Sequence, residues 1–341
     1  MDARQLKQHC DIGIIGGSLA GLAFARLLQA QLPQCTISVL DDTQNAPAGK
    51  TLIIERAAAD CLQQFAALPA NSKAIQQVRI SLAGIQRNIG RNVEGQQPLG
   101  YSISQPLVQL ALKKDLPLHN ARVAALHPTA EGVTIHTNDN STLHARYLVI
   151  ACPLPLLPPP FRSRRLAYQQ SIFSLQANSD LPLHTAYQYF SYRKVMVLVP
   201  RAEDDATGVI LCVPHATSGD INALSDSALS TYLSDKFKLS INVSGKRFAY
   251  RPQLLRTTPL ASDNIALIGS GASTLHPIGA QAISLGIADA QVLAKLFIQH
   301  TGTPPQAALQ QYHRQRVFAH RRKALLTSTL ALGAFGAGGL L

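Results

Sequence analysis

Apolar and polar residues form the same pattern in two stretches, one near each end of the chain. In the first, the apolar run Asp11-Ile-Gly-Ile-Ile15 is followed by Gly16-Gly17-Ser18-Leu19-Ala20-Gly21. From Leu22 to Leu32, apolar residues then recur at helical spacing. The pattern predicts a short buried strand, a glycine-rich turn and a helix that follows directly.

The second stretch, residues 264–289, repeats this order. Residues 265–268 (Ile-Ala-Leu-Ile) read as a buried strand, which Gly269 and Gly271 end. His276-Pro277 then requires an extended step, and we expect a helix to begin near Gly279. The free backbone N–H groups of such a helix start suit an anion.

The first stretch has the arrangement of a dinucleotide site. Gly16 takes the tight turn, Gly21 allows close packing of helix on strand, and Ser18 stands where the usual pattern has its middle glycine. The next apolar run, Thr36 to Leu40, ends at Asp41, where an acid would bind a ribose hydroxyl. A glycine-rich turn without nucleotide is the alternative; strand, glycines, helix and terminal acid together favour an adenine dinucleotide.

The middle of the chain reads mostly as antiparallel strands. Residues 133–136 and 144–151 predict a hairpin, and the proline-rich run from Cys152 to Pro160 predicts an extended crossing between lobes. Further predicted strands are 185–192, 195–200 and 208–214, and further predicted helices are 56–67, 105–114 and 223–237. The two ends would form one discontinuous lobe, with the middle sheet as a second lobe and a cleft between them.

Composition places the chain among globular proteins. It has 341 residues, 46% hydrophobic and 15% charged, and a net charge of +12. The basic residues are scattered apart from a late cluster (Arg314, Arg316, Arg321, Arg322 and Lys323), and no nucleic-acid motif accompanies them. We therefore expect no nucleic-acid partner; a basic surface that faces anionic lipid or an acidic partner explains the charge as well.

The cysteines and the termini limit further which class of protein the chain can belong to. The five cysteines are far apart without a CxxC pair, which argues against a disulfide framework, a structural zinc site or a redox dithiol, so no metal site is predicted. No signal peptide is recognisable, which fits the cytoplasm. The uncharged tail, residues 324–341, reads as a buried or dimer-facing helix or as a membrane contact on the inner face of the membrane; a spanning anchor is a third reading.

Several segments of the chain follow the pattern of a known family. They are Asp11–Leu22, Leu99-Gly-Tyr101, Gly245-Lys-Arg-Phe-Ala-Tyr250, Thr274-Leu-His-Pro-Ile278, Gln281, Leu285-Gly286 and Asp289. Through them the chain resembles the class A flavin monooxygenases, specifically the ubiquinone-biosynthesis hydroxylases (the UbiH-like group), over about residues 10 to 325.

The resemblance implies an α/β fold with a discontinuous Rossmann-like FAD-binding domain (residues 1–75, 100–165 and 245–341). The inserted substrate domain, a mostly antiparallel β-sheet, would comprise residues 76–99 and 166–244. It also implies that NAD(P)H reduces the FAD transiently and that a flavin hydroperoxide hydroxylates a polyprenylated phenol.

By position, the resemblance assigns residues of this chain to four parts of the cofactor. It implies that Gly16, Gly17, Ser18 and Gly21 face the pyrophosphate, Asp41 the ribose, Gly269 and Ser270 the ribityl phosphate side, and Pro277, Gly279, Ala280 and Gln281 the isoalloxazine. Gln105 stands close to the place of an expected arginine. His276 is the one titratable side chain expected near the flavin, as a catalytic group or as a structural histidine of the turn.

Several positions depart from the family pattern. Ser270 stands for Asp or Asn, Ala280 and Ala282 replace two glycines, and Cys152-Pro153 replaces Asp-Gly. The chain also ends earlier than those family members do, which would remove helices of the substrate lobe. A methyl group at positive φ, or where the cofactor touches backbone, costs about 1 kcal/mol.

Three functional hypotheses follow. The first is an FAD-dependent hydroxylase of a ubiquinone precursor or a similar lipophilic aromatic. The second is a degenerate homologue that serves as a non-catalytic component of a quinone-biosynthesis assembly. The third is a flavin enzyme of different chemistry, such as a dehydrogenase or a halogenase; a halogenase is expected to carry a Trp-rich motif, and the chain has no tryptophan.

Overall fold

The fold is given by a computed structural model that describes residues 9–42, 51–82, 84–90, 97–191, 193–202, 204, 206–300 and 306–335. The strands are β1 His9–Ile15, β2 Ile37–Leu40, β3 Thr51–Glu55, β4 Lys73–Ile75, β5 Gln77–Leu82, β6 Ile85–Gly90, β7 Gly100–Ser104, β8 Leu118–His119, β9 Val123–Pro128, β10 Val133–Thr137, β11 Thr142–Ile150, β12 Arg162–Ala167, β13 Gln170–Ser179, β14 Thr185–Ser191, β15 Lys194–Pro200, β16 Thr207–Pro214, β17 Ile241–Tyr250, β18 Gln253–Thr258, β19 Ala261–Ser262, β20 Ile265–Leu267 and β21 Ser273–Thr274. The helices are α1 Leu19–Gln31, α2 Arg56–Gln63, α3 Gln105–Lys113, α4 Ser218–Ala223, α5 Asp226–Phe237, α6 Gly269–Ala272, α7 Gln281–Gln299 and α8 Gln306–Phe335, with 3₁₀ turns at His215–Thr217 and Ile278–Ala280.

The first sheet brings the two ends of the chain together. Its order is β19-β20-β11-β1-β2-β8, and β1 lies parallel to both β11 and β2. The predicted hairpin is present as β10 and β11, with β9 beyond it. Parallel strands are covered on both faces, so the run Ile12 to Ile15 is buried throughout. On this sheet, α1 packs against α7, and Phe24 meets Phe297 edge to face at 6.0 Å.

The second sheet is mostly antiparallel and is built from the middle of the chain. Its order is β17-β13-β16-β15-β14-β5-β6, and β14 with β5 is its parallel pair. Two small sheets, β3-β7-β4 and β12-β18-β21, contain the remaining strands. This arrangement confirms the predicted α/β class with an inserted antiparallel sheet. The predicted boundary at residue 245 falls inside β17, which continues in the second sheet to Tyr250.

The tail forms the last part of α8. One side of this helix is buried, through Ala324, Thr327 and Ala331. Within the described residues, the one helix long and apolar enough to cross a membrane is Ile278–Gln299, a largely buried stretch on the first sheet. Residues 336–341 of the predicted tail lie outside the described residues.

Candidate functional site

The turn between β1 and α1 is packed so closely that Gly16 and Gly21 have no room for a side chain. Gly16 has φ +102°, and a Cβ atom there would lie 2.8 Å from Cβ of Cys152. A Cβ atom on Gly21 would lie 2.4 Å from the carbonyl oxygen of Gly16. Glycine is therefore required at both positions, as the sequence pattern predicts. Ser18 caps α1 and accepts a hydrogen bond from the Gly21 N–H at 3.3 Å.

Asp41 lies at the end of β2 and reaches the same turn. Its Oδ1 accepts a hydrogen bond from the Gly17 N–H at 2.7 Å, and its Oδ2 lies 3.2 Å from the Lys113 Nζ. Gln109 donates from Nε2 to the Gly17 carbonyl at 2.9 Å. Predicted Gln105 begins α3, and its spacing of four residues from Gln109 and eight from Lys113 puts all three on one helix face.

Gln109 and Lys113 were not identified from the sequence. Their four-residue repeat with Gln105 is the signal that could have identified them, because such a repeat places polar groups along one side of a helix. Contact with Gly17 and Asp41 depends on how α3 packs against α1, which no local pattern contains.

The two serines that depart from the family pattern meet at one backbone atom. The Ser18 hydroxyl donates to the carbonyl oxygen of Ala151 at 2.9 Å, and the Ser270 hydroxyl donates to the same oxygen at 3.1 Å. Ala151 directly follows β11, which lies between β1 and β20. The serines therefore join the two glycine turns through the strand between them.

The second glycine turn is held by a buried carboxylate. Gly269 has φ +52°, and its N–H donates to Oδ2 of Asp289 at 3.0 Å. The same carboxylate accepts from Nε of Arg316 at 2.7 Å and lies 2.9 Å from Nε2 of His320. Asp289 is fully buried. This network connects the turn to α7 and α8. The resemblance included Gly269 and Asp289, whereas Arg316 was noted only as part of the basic cluster and His320 was not noted.

The predicted isoalloxazine segment forms a tight turn before α7. Gly279 has φ +79° and Ala280 has φ +51°, so two successive residues are left-handed. Gln281 begins α7, donates from Nε2 to the Gly279 carbonyl at 3.2 Å and contacts the Lys323 ammonium. Ala282, in contrast, lies in the helix. The left-handed conformation explains why glycine suits position 280, where this chain carries a methyl group.

His276 has the contacts of a structural histidine. The ring is fully buried; Nδ1 accepts from the Ile278 N–H at 3.3 Å, and Nε2 lies 2.8 Å from Oε1 of Gln170. Tyr168 packs edge to face on the ring at 4.9 Å. Burial lowers the pKa of His276 to about 4, so the neutral ring is the stable form. Both nitrogens are used by the protein, and the catalytic role stays a prediction.

An apolar cavity of about 170 Å³ lies beside this turn. It is enclosed by the left-handed turn on one side, the small β3-β7-β4 sheet on another, and the second sheet across from them. Two lining side chains are polar, Glu55 and Gln188. Glu55 pairs with Lys323 at 3.5 Å. The remaining lining residues are Ile53, Ile54, Ile75, Val78, Leu99, Gly100, Ala186, Val197, Val199, Ile210, Pro277, Gly279 and Ala280.

Most of the side chains that line this cavity are apolar. Glu55 is the single ionisable residue among its described lining. In the described part of the chain, no group of three or more His, Cys, Asp or Glu side chains could hold a metal ion. An organic cofactor bound beside this lining would bring reactive groups of its own.

The turn residues fit the pyrophosphate end of FAD. α1 has no acidic residue in its own first turn, and the positive end of a helix suits an anion. The glycines that allow close approach are sterically required, and Asp41 is part-exposed beside them. A carboxylate accepts several hydrogen bonds, so Asp41 retains capacity for a ribose hydroxyl while it holds Gly17.

The fold defines the class of protein that the chain is similar to. The probable FAD-dependent monooxygenase pqsL from Pseudomonas aeruginosa superposes with a TM-score of 0.78 at 15% identity, over 96% of this chain and 96% of that chain. The flavin-dependent brominase Bmp2, as a triple mutant, gives 0.74 at 14% identity, over 96% of this chain and 90% of that one. The chain thus has the fold of FAD-dependent monooxygenases.

Comparisons of sequence point to flavin proteins as well. Residues 51–188 match the family model described as flavin containing amine oxidoreductase. The ubiquinone hydroxylase UbiM from Neisseria meningitidis is 25% identical over 136 residues, which are 39% of this chain and 29% of that protein. The match therefore spans less than a third of the relative's length. Together these comparisons support an enzyme that uses FAD.

Proposed function

We propose that the protein is an FAD-dependent aromatic hydroxylase whose substrate is a polyprenylated phenol of ubiquinone biosynthesis, with NAD(P)H as reductant. The observation that carries the proposal is the apolar cavity beside the Gly279–Ala280 turn, in a fold shared with FAD-dependent monooxygenases. The similarity to a ubiquinone hydroxylase supports the substrate class.

The chain would hold FAD along the two glycine turns. Gly16 to Gly21 and the start of α1 would take the pyrophosphate, Asp41 the ribose, and residues 277–281 the ring system beside the cavity. Bound FAD supplies electron transfer from NAD(P)H and the activation of oxygen. The protein's own contribution is to orient the aromatic ring and to exclude water, which the apolar lining supports.

Gln188 is the residue we assign to the substrate's polar group. It lies on β14 and lines the cavity together with apolar residues such as Ile53 and Val199. A phenol that enters an apolar cavity needs a hydrogen-bond partner, because an unpaired buried hydroxyl costs about 1 kcal/mol or more. A side-chain amide offers both a donor and an acceptor for it.

The test is flavin content followed by turnover. Purified full-length protein should carry or take up FAD, and oxidation of NAD(P)H should be stimulated by a short-chain prenylated phenol with formation of the hydroxylated product. Gln188→Leu should raise KM roughly fivefold, for a loss of about 1 kcal/mol, with FAD content unchanged. The control is Gln253→Leu on β18, where the side chain is exposed. Stoichiometric FAD without stimulation by any phenol contradicts the substrate class.

A non-catalytic role in a quinone-biosynthesis assembly is the second candidate. It is favoured by the methyl group at left-handed Ala280 and by the hydroxyls of Ser18 and Ser270, which are both bound to the Ala151 carbonyl. A protein that stays colourless after incubation with excess FAD would support this role and overturn the enzymatic one.

A further inference from the structure

The outward face of α8 combines large apolar side chains with exposed arginines. Phe318 is 69% exposed, Leu325 69%, Leu326 47% and Leu330 40%. Leu325 and Leu326 follow Phe318 by seven and eight residues, and Leu330 follows Leu326 by four, so these side chains lie on the outward half of the helix. Single exposed leucines are common on protein surfaces, whereas four large exposed apolar side chains on the outward half of one helix indicate an interaction surface.

The charge of this face has one sign. Residues 306–335 contain no Asp or Glu. Arg316 and Lys323 are committed to Asp289 and to Glu55, whereas Arg314, Arg321 and Arg322 are exposed and have no ion-pair partner among the described residues. Arg321 and Arg322 lie between Phe318 and Leu325 in the sequence. The surface formed by these seven residues is called the α8 face below: Arg314, Phe318, Arg321, Arg322, Leu325, Leu326 and Leu330.

We propose that the α8 face binds the surface of an anionic lipid bilayer. A helix that lies in the headgroup region buries leucine and phenylalanine at the acyl boundary while arginine reaches the phosphates. From Arg314 to Leu330 the face is about 24 Å long, at 1.5 Å per residue. It is the convex side of a single helix, which matches a planar surface, and the net charge of +12 attracts that surface at longer range.

A second copy of the chain fits this face less well. A two-fold contact through this face would bring the arginines of one copy close to those of the other. Since α8 carries no acidic residue, like charges would meet without compensation. The inference does not rest on the proposed function, because the α8 face is separate from the cavity residues.

Vesicle binding by the full chain tests the proposal. Co-sedimentation should show binding to phosphatidylcholine vesicles that contain phosphatidylglycerol, and little binding to phosphatidylcholine alone. Leu325→Gln with Leu326→Gln, and separately Arg321→Gln with Arg322→Gln, should each weaken binding about tenfold or more. Added salt should weaken the remaining binding of the leucine variant more than that of the arginine variant.

Matched variants elsewhere on the surface provide the controls. Leu156→Gln with Leu183→Gln removes two leucines that are 80% and 74% exposed. Arg162→Gln with Arg164→Gln on β12 removes two exposed arginines and the same net charge. Both control pairs should bind as the unchanged protein does, and circular dichroism checks that all four variants fold. Equal loss in the controls, no binding to anionic vesicles, or self-association that the α8 variants abolish would overturn the proposal.

Discussion

Ala280 carries a methyl group at a position where the backbone conformation favours glycine. The residue is left-handed at φ +51°, a conformation that costs a non-glycine residue about 1 kcal/mol or more. Ala280→Gly should therefore stabilise the protein by about 1 kcal/mol, despite the greater chain entropy of glycine when unfolded. Urea denaturation of both proteins measures the difference.

The neighbouring position supplies a matched control for this substitution. Ala282 lies in the first turn of α7 with helical geometry, so Ala282→Gly should be neutral or destabilising by up to about 1 kcal/mol. Equal midpoint shifts for the two variants would contradict the conformational explanation. Because glycine is expected at both positions from the family pattern, the pair separates backbone strain from any effect of the cofactor.

His276 predicts a pH dependence of stability. Burial lowers its pKa from the ordinary 6.5 to about 4, so below pH 6.5 the unfolded chain binds a proton that the folded ring does not. Stability from this group is complete above pH 6.5 and is lost as the pH falls toward 4, at up to about 1.4 kcal/mol per pH unit. Thermal unfolding between pH 4 and 7 measures this slope.

A glutamine at this position separates the titration from other acid effects. His276→Gln keeps a donor near Gln170 but does not titrate, so its unfolding midpoint should depend less on pH across that window. His127→Gln is the control, because His127 is exposed on β9. A slope that is unchanged in His276→Gln would show that other groups cause the acid sensitivity.

At the scale of elements, the periodicity of apolar residues predicted which helices and strands exist and their order. The capping residues determined where the helices begin. The predicted helix from Leu22 begins at Leu19 because Ser18 caps it. The predicted helix 223–237 is present as α5 but begins only at Asp226, since Ser225 is extended and caps it through the Ala228 N–H at 3.1 Å. Apolar spacing identifies the buried side of a helix, but a cap depends on a single polar residue.

The polar contacts between elements were the least predictable part. The sequence pattern predicted the glycines and Asp41, whereas Gln109 and the shared carbonyl of Ala151 appear only once α1, α3 and β11 are placed. Each of these hydrogen bonds joins residues far apart in the chain, and no local spacing encodes them. The resemblance supplied the segment 277–281, and the structure shows its left-handed turn.

At the scale of the whole molecule, the central feature is the carboxylate of Asp289. It is fully buried and joins the Gly269 turn, α7 and α8 through the Gly269 N–H, Arg316 and His320. These partners come from separate parts of the fold that pack on the first sheet. Loss of one member of such a buried pair leaves an uncompensated charge and an unpaired N–H group.

Asp289→Asn should therefore destabilise the folded protein by about 3 to 5 kcal/mol. The Arg316 guanidinium, which is largely buried, would then have little contact with solvent and would lose its anionic partner. Asp226→Asn is the matched control: Asp226 pairs with Arg247 at 2.5 Å, but its side chain is 51% exposed, so its loss should cost under about 1 kcal/mol. Urea denaturation followed by circular dichroism gives both values, and limited proteolysis should cut α8 first in Asp289→Asn, because that helix loses its buried anchor. Similar midpoints for the two variants would mean that apolar packing, rather than this carboxylate, holds the C-terminal helix against the glycine turn.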